Sequence, residues 1–187
     1  GKSTRSLIDL SFSHDKRDSI IKPTKGYMIK FGSEIAGLGG DEQFVKSKAS
    51  GKIYQGIYGN NIIFSTEIEG GILSMNKGYS KVVDRFLLGG RSFRGFKYSG
   101  IGPRELAGGQ YTIPLGGEKY AIARFAASFP LGLPRELGLY GSVFAEAGSL
   151  WDIKTDPNVA GLSDKIALRD RALRTSIGFA MNWETPI

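Results

Sequence analysis

The sequence has no cysteine and only one histidine, His14, among its 187 residues. These two shortages exclude a disulfide scaffold, a cysteine nucleophile and a Cys/His zinc site, and they leave little room for a Ser-His-Asp triad. Asp15, Asp18 and Glu42 show no recognisable metal-ligand spacing, and no Gly-x-x-x-x-Gly-Lys-Ser/Thr phosphate loop occurs. We therefore predict no catalytic residues, no metal site and no cofactor, and a protein that is not an enzyme.

Long apolar runs are also missing. The longest segment without Asp, Glu, Lys or Arg runs from Ile53 to Thr66 and contains Asn60, Asn61 and two glycines. A membrane-spanning helix needs about 18–20 mostly apolar residues, so the sequence contains none. A membrane location stays open, because β-barrels cross with short alternating segments that hydropathy windows detect poorly.

The residues that are abundant favour strands over helices. Glycine occurs 27 times, roughly twice its usual share of about 7%. Each glycine inside a helix costs about 1 kcal/mol relative to alanine, so evenly scattered glycines argue against long helices. The hydrophobic fraction of 41% is ordinary and excludes a disordered tail, and the length suits a single domain.

Apolar residues recur at every second position, the period of a strand whose two faces differ. The clearest case ends the chain, where Ile177, Phe179 and Met181 alternate with Ser176 and Asn182. The pattern predicts an all-β, antiparallel fold with seven strands, at residues 7–14, 26–36, 44–58, 62–73, 119–129, 139–148 and 173–183.

Alternation alone fits either a soluble β-sandwich with a dry core or a membrane barrel with a wet interior. The polar face is rich in small residues and in charges of both signs, which favours the barrel. Aromatic residues lie near the predicted strand ends, as in an interfacial girdle: Tyr27, Tyr58, Phe129 and Trp183.

The connections alternate in length. Short turns are predicted at residues 59–61 and 130–134, with a glycine loop at 37–41, and long loops at 74–117 and 149–171. Short turns and long loops fall at opposite ends of the strand array, as in outer-membrane barrels. A connection of about forty residues usually carries function.

Six motifs occur in one order along nearly the whole chain. They are Asp18 with Pro23-Thr24-Lys25-Gly26, Gly-Gly-x-x-x-Arg-Gly-Phe at 89–96, Gly-Ile-Gly-Pro-Arg at 100–104, Phe-Pro-Leu-Gly at 129–132, Gly-Ser-Val-Phe-Ala-Glu-Ala-Gly-Ser-Leu-Trp at 141–151, and Gly178 with Asn182-Trp183 and Pro186-Ile187. In this order they resemble the BamA-type family of outer-membrane protein assembly factors, within the superfamily of β-barrel insertases and two-partner secretion transporters.

The resemblance implies a transmembrane barrel of about sixteen strands, of which residues 1–187 would form a partial outer-membrane β-barrel domain. The strand count points the same way. Single-chain bacterial barrels have even numbers of strands from about eight upward, and seven strands leave two open edges. We therefore expect this chain to be one portion of a larger barrel, with the loop at 74–117 lying in its lumen.

The resemblance also implies a site. The long loop folds into the lumen, and its tip docks on the inner wall through Gly89, Gly90, Arg94, Gly95 and Phe96. An arginine in a secluded lumen needs a carboxylate and a flat partner, which Glu146 and Phe144 would supply from one strand face. The family commonly has an acid at the position of Ala126 and an aspartate at that of Glu146, so one carboxylate partner of Arg94 is absent here.

The implied function is folding and insertion of β-barrel proteins into the outer membrane of a Gram-negative bacterium. Its implied partners are membrane lipid, nascent outer-membrane β-barrel proteins and accessory outer-membrane lipoproteins. A two-partner secretion or autotransporter-assembly barrel of the same superfamily is the alternative.

A more remote alternative is a soluble, basic β-sandwich that binds nucleic acid through Lys46, Lys48 and Lys52. We interpret these lysines instead as part of a solvated lumenal face and expect no nucleic acid partner, because glutamates occupy comparable faces: Glu34, Glu67 and Glu69.

Overall fold

A computed structural model describes residues 6–37, 43–134, 137–154 and 165–183. Over these residues the chain forms ten strands: β1 (Leu7–Asp15), β2 (Lys25–Ala36), β3 (Gln43–Ile57), β4 (Ile62–Lys77), β5 (Arg104–Ala107), β6 (Gln110–Pro114), β7 (Lys119–Pro130), β8 (Leu139–Trp151), β9 (Ile166–Ala167) and β10 (Arg174–Trp183). In this part of the chain, no helix is long and apolar enough to cross a membrane.

Seven strands form one open antiparallel sheet in the order β1-β2-β3-β4-β7-β8-β10. They match the seven predicted segments, so the predicted all-β antiparallel fold is confirmed. The largest differences are at the loop end of the sheet. There β4 continues to Lys77 and β8 to Trp151, where the sequence analysis placed loops from residues 74 and 149.

The apolar face of this sheet is uncovered. Large side chains that alternate along the strands are exposed, including Leu10 at 55%, Phe12 at 61%, Ile68 at 66%, Ile177 at 85% and Phe179 at 59%. A soluble sandwich would bury these side chains against a second sheet. Their exposure in a single layer is instead typical of a lipid-facing surface.

The buried core lies on the opposite face of the sheet, which we call the polar wall. On this face the strands carry charged residues near their middle and apolar residues near the loop end of the sheet. Loop side chains pack against them, and the resulting core contains Phe44, Leu73, Phe86, Leu88, Phe93, Ile101, Tyr120, Ile122 and Leu150. The long loop is therefore folded back onto the polar wall and buries apolar area there.

The loop has a strand structure that the sequence analysis missed. β5 and β6 form a hairpin, and β5 also pairs with β9 from the second long connection. Isolated bridges join Phe86 to Gly117 and Leu88 to Ile101. These strands of two to five residues are too short to show a period in the sequence.

The remaining sequence predictions concern the ends of the strands. Tyr27, Tyr58, Phe129 and Trp183 all lie at the turn end of the sheet, and Tyr58 and Trp183 are strongly exposed. The glycine loop beyond Gly37, the middle of the second long loop at 155–164, Glu42, Pro186 and Ile187 lie outside the described residues.

Candidate functional site

Arg94, at the tip of the long loop, is attached to the polar wall through β8. Its Nε donates to Glu146 Oε1 at 2.5 Å, and its backbone N–H donates to Glu146 Oε2 at 2.9 Å. The guanidinium carbon lies 3.6 Å from the centroid of the Phe144 ring. One buried carboxylate and one aromatic face thus hold this arginine, with both carboxylate oxygens engaged.

Two glycines allow the tip, residues 89–97, to adopt its tight turn. Gly89 has φ of 127°, and a Cβ there would lie 2.1 Å from the carbonyl oxygen of Lys97. Gly95 has φ of 84° and lies against Ser176 of β10. The turn is closed by a bond from the Gly90 N–H to the Phe96 carbonyl at 2.9 Å. Only glycine combines these backbone conformations with so close an approach.

Phe93 anchors the tip apolarly, and the sequence analysis did not single it out. It is fully buried, packs edge-to-face against Phe96 at 5.3 Å and approaches the backbone of Gly148 on β8. Phe96, the predicted anchor, is only partly buried. The sequence signal for this anchor was a large aromatic residue between Arg91 and Arg94. In a solvated, glycine-rich loop, such a side chain would be exposed to water.

A second group of charges surrounds Arg124 on β7. Its Nη1 bonds Glu69 at 2.7 Å and lies 3.4 Å from Glu67, both on β4, while its Nη2 donates to the Ser92 carbonyl at 2.7 Å. The Tyr120 hydroxyl donates to the other Glu69 oxygen at 2.6 Å. The alternating pattern predicts both glutamates on the polar face but does not predict these contacts, since they join residues far apart in the chain.

The base of the loop is held by a buried carboxylate. Glu118 is 2% exposed and accepts hydrogen bonds from the Ser80 hydroxyl at 2.7 Å and the Lys154 N–H at 3.2 Å. Arg85 bonds the Ser80 hydroxyl and the Leu115 carbonyl. Burial lowers the pKa of the Arg85 guanidinium, an effect that the nearby Glu118 and Asp84 carboxylates oppose.

The motif at Asp18 forms the β1–β2 turn, at the far end of the sheet. One carboxylate oxygen accepts the N–H groups of Thr24 and Lys25, at 2.9 and 3.1 Å, and the other accepts the Thr24 hydroxyl at 2.5 Å. These hydrogen bonds, with the Thr24 hydroxyl foremost, lower the pKa of Asp18 to about 2. These hydrogen bonds stabilise the β1–β2 turn, which lies at the opposite end of the sheet from the long loop.

The structure therefore brings Arg94, Phe144 and Glu146 together and places Gly89, Gly90, Gly95 and Phe96 around them. Ala126 lies beside Phe144 in the β7–β8 register. In the described part of the chain, no group of three or more His, Cys, Asp or Glu residues is placed to hold a metal ion.

A single sheet with an exposed apolar face, and an arginine-tipped loop docked on its polar face, defines the wall of a membrane β-barrel. The sequence matches the Omp85 superfamily domain over residues 1–187, and the chain belongs to that superfamily. The predicted family resemblance is thereby confirmed.

Individual relatives agree with this assignment. The chain is 29% identical over its full length to the outer membrane protein assembly factor BamA of Neorickettsia risticii, covering 24% of that protein. It is 32% identical over 208 aligned residues to a SAM50-like protein of Schizosaccharomyces pombe, covering 41% of it. The chain thus spans about a quarter of the bacterial relative.

The fold agrees as well. The crystal structure of BamA from Haemophilus ducreyi lacking POTRA domains 1–3 superposes with a TM-score of 0.78 at 21% identity. The match covers 96% of this chain and 36% of that one.

Proposed function

We propose that this chain forms part of an outer-membrane barrel that folds and inserts β-barrel proteins. The observation that carries the proposal is the docking of Arg94 on Glu146 and Phe144. A loop that stays in solvent does not bind a buried carboxylate on the wall. A loop that braces a barrel must bind the wall. Two bacterial relatives that match this whole chain are named outer membrane protein assembly factor BamA, and a yeast relative is named a SAM50-like protein; these names support the same function.

The mechanism needs no covalent step, and we propose that the protein is not an enzyme. The sheet supplies a rigid wall, and the docked loop holds the wall's curvature from the inside. A client strand would be captured at an exposed strand edge by β-augmentation, at a seam outside this chain. The chain would then contribute to insertion by keeping the rest of the barrel in shape while the seam opens.

The proposed partners follow from the same surfaces. Membrane lipid covers the exposed apolar face, nascent β-barrel proteins are the clients, and accessory outer-membrane lipoproteins complete the assembly complex. We place the protein in an outer membrane, specifically that of a Gram-negative bacterium, and the similarity of this whole chain to about a quarter of two bacterial assembly factors supports that location.

The test replaces the loop arginine in the full-length protein. Arg94→Ala leaves the buried Glu146 without its cation, so we expect a folded barrel with a loosened loop and a severalfold loss of client barrels from the outer membrane. Arg91→Ala is the matched control, because Arg91 is exposed in the same loop. Client levels measured by quantitative mass spectrometry at wild-type values in Arg94→Ala cells would contradict the proposal.

A further inference from the structure

We propose that Arg124 is a positioning residue that holds the loop tip by a second attachment, separate from the Arg94–Glu146 pair. Its Nη2 donates to the Ser92 carbonyl at 2.7 Å, two residues before Arg94. Because the acceptor is a backbone oxygen, the contact with Arg124 is made by the backbone of the tip and depends on its shape. The purpose of the attachment rests on the proposed function, whereas its existence rests on the geometry alone.

The wall orients Arg124 independently of the loop. Glu69 and Glu67 on β4 both face its Nη1 group, at 2.7 and 3.4 Å. Tyr120 occupies the remaining Glu69 oxygen, and Lys52 lies 3.4 Å from Glu67. Because carboxylates hold the Nη1 group of the planar guanidinium, its Nη2 group is directed toward the loop. A lysine, which is a point charge on a flexible stem, could not do both in this geometry.

The tip shows the matching half of the attachment. The Ser92 hydroxyl donates to the Gly89 carbonyl at 3.0 Å and accepts the Gly89 N–H at 3.1 Å, which fixes the backbone that presents the Ser92 carbonyl. The next residue, Phe93, is fully buried between the tip and the wall. The Ser92 carbonyl is therefore held in a fixed position above β7, within hydrogen-bond distance of Arg124.

The two attachments use different strands. Arg94 binds Glu146 and Phe144 on β8, whereas Arg124 stands on β7 and is backed by Glu67 and Glu69 on β4. In the sheet order β4-β7-β8, the tip is therefore bound directly to β7 and β8, and to β4 only through Arg124. Breaking one attachment leaves the other in place, so full release of the loop requires breaking both.

Limited proteolysis of the full-length protein in liposomes tests this inference, with trypsin cleavage after the exposed Lys97 reporting release of the tip. Cleavage of a transiently opened segment tracks the open population. A lost hydrogen bond to a charged group predicts about tenfold faster cleavage in Arg124→Ala. Arg94→Ala should show a similar acceleration, and the double variant should be cleaved faster than either single variant. Arg124→Lys should recover only part of the protection.

The matched control is Lys30→Ala, which removes an exposed cation from β2 on the same wall, two strands away from Glu69; its cleavage rate should stay at the wild-type value. Wild-type cleavage in Arg124→Ala, or a double variant no faster than Arg94→Ala, would overturn the inference. If Arg124→Ala does not fold, Glu69→Gln leaves the arginine present but less well oriented, and it should accelerate cleavage about threefold; no acceleration there would equally overturn it.

Client assembly measured on the same samples separates this inference from the proposed function. Faster cleavage with normal assembly supports the attachment and contradicts the bracing function. Wild-type cleavage with impaired assembly contradicts the attachment and leaves the proposed function standing.

Discussion

Arg124 on β7 and Glu146 on β8 are direct cross-strand partners, yet each holds a different residue of the loop. Arg124 binds the carbonyl of Ser92, and Glu146 binds the backbone and side chain of Arg94. A cation and an anion that could have paired with each other across the sheet are thus directed toward the loop. The polar wall is therefore built to receive that loop.

Phe93 should contribute more to stability than Phe96, although only Phe96 belongs to the motif that the sequence displays. Phe93→Ala leaves a cavity between the tip and the wall and is expected to cost about 3–5 kcal/mol. Phe96→Ala should cost less, because that ring is only partly buried. Urea unfolding in lipid vesicles measures both, and an equal or larger loss for Phe96→Ala would show that the tip is anchored differently.

Gly89 should tolerate no side chain, whereas Gly78 should accept one. A Cβ at Gly89 would lie 2.1 Å from the Lys97 carbonyl, but at Gly78, where φ is 81°, nothing lies within 4 Å. Gly78→Ala therefore carries only the left-handed backbone cost of about 1–2 kcal/mol. Gly89→Ala should in addition distort the tip and accelerate trypsin cleavage after Lys97. Equal losses in the two variants would show that Gly89 does not form this tight turn.

The β1–β2 turn should lose order in acid. The pKa of Asp18 is lowered to about 2, below the value of about 3.9 in an unfolded chain, because its carboxylate accepts hydrogen bonds. A depressed pKa stabilises the folded turn above about pH 4, and this contribution disappears as the pH falls through about 2. The protection factors of the Thr24 and Lys25 amides against hydrogen exchange, which correct for the intrinsic pH dependence of exchange, should fall across that window.

Asp18→Asn is the control for the acid transition. It should exchange faster at neutral pH and show a smaller acid dependence. Asp15, which pairs with Arg17 at 2.6 Å, also titrates at this end of the sheet and accounts for any remaining dependence. A turn equally protected at pH 2 and pH 6 in the unmodified protein would rule out this function of Asp18.

Ile68, exposed in the middle of β4, should report lipid directly. Ile68→Lys places a cation on the apolar face and is expected to destabilise the protein in a bilayer by about 2–4 kcal/mol if the site lies near the midplane. Ile68→Ala, the size control, should cost far less. Unfolding in vesicles measures both, and a neutral or stabilising lysine would mean that water and not lipid covers this face.

The strands were predictable because successive side chains of a strand point to opposite faces. The two faces of this wall lie in different environments, so apolar residues such as Ile177 and Phe179 recur at every second position. The predictions failed at the loop end of the sheet, where the polar wall carries apolar residues that lie under the loop. At Leu73 and Leu150 the polar wall is covered by the loop, and the strands continue beyond their predicted ends into this core.

The sequence by itself determined the class of fold and the tip motif, because alternation and a glycine-arginine-phenylalanine turn are local properties of the chain. Only the tertiary structure decided which wall residues meet the tip. Ser92 and Arg124 are far apart in the chain, as are Arg94 and Glu146, and their contacts depend on strand register and on the path of the loop. No local pattern encodes either of these, because both are set by packing across the whole sheet.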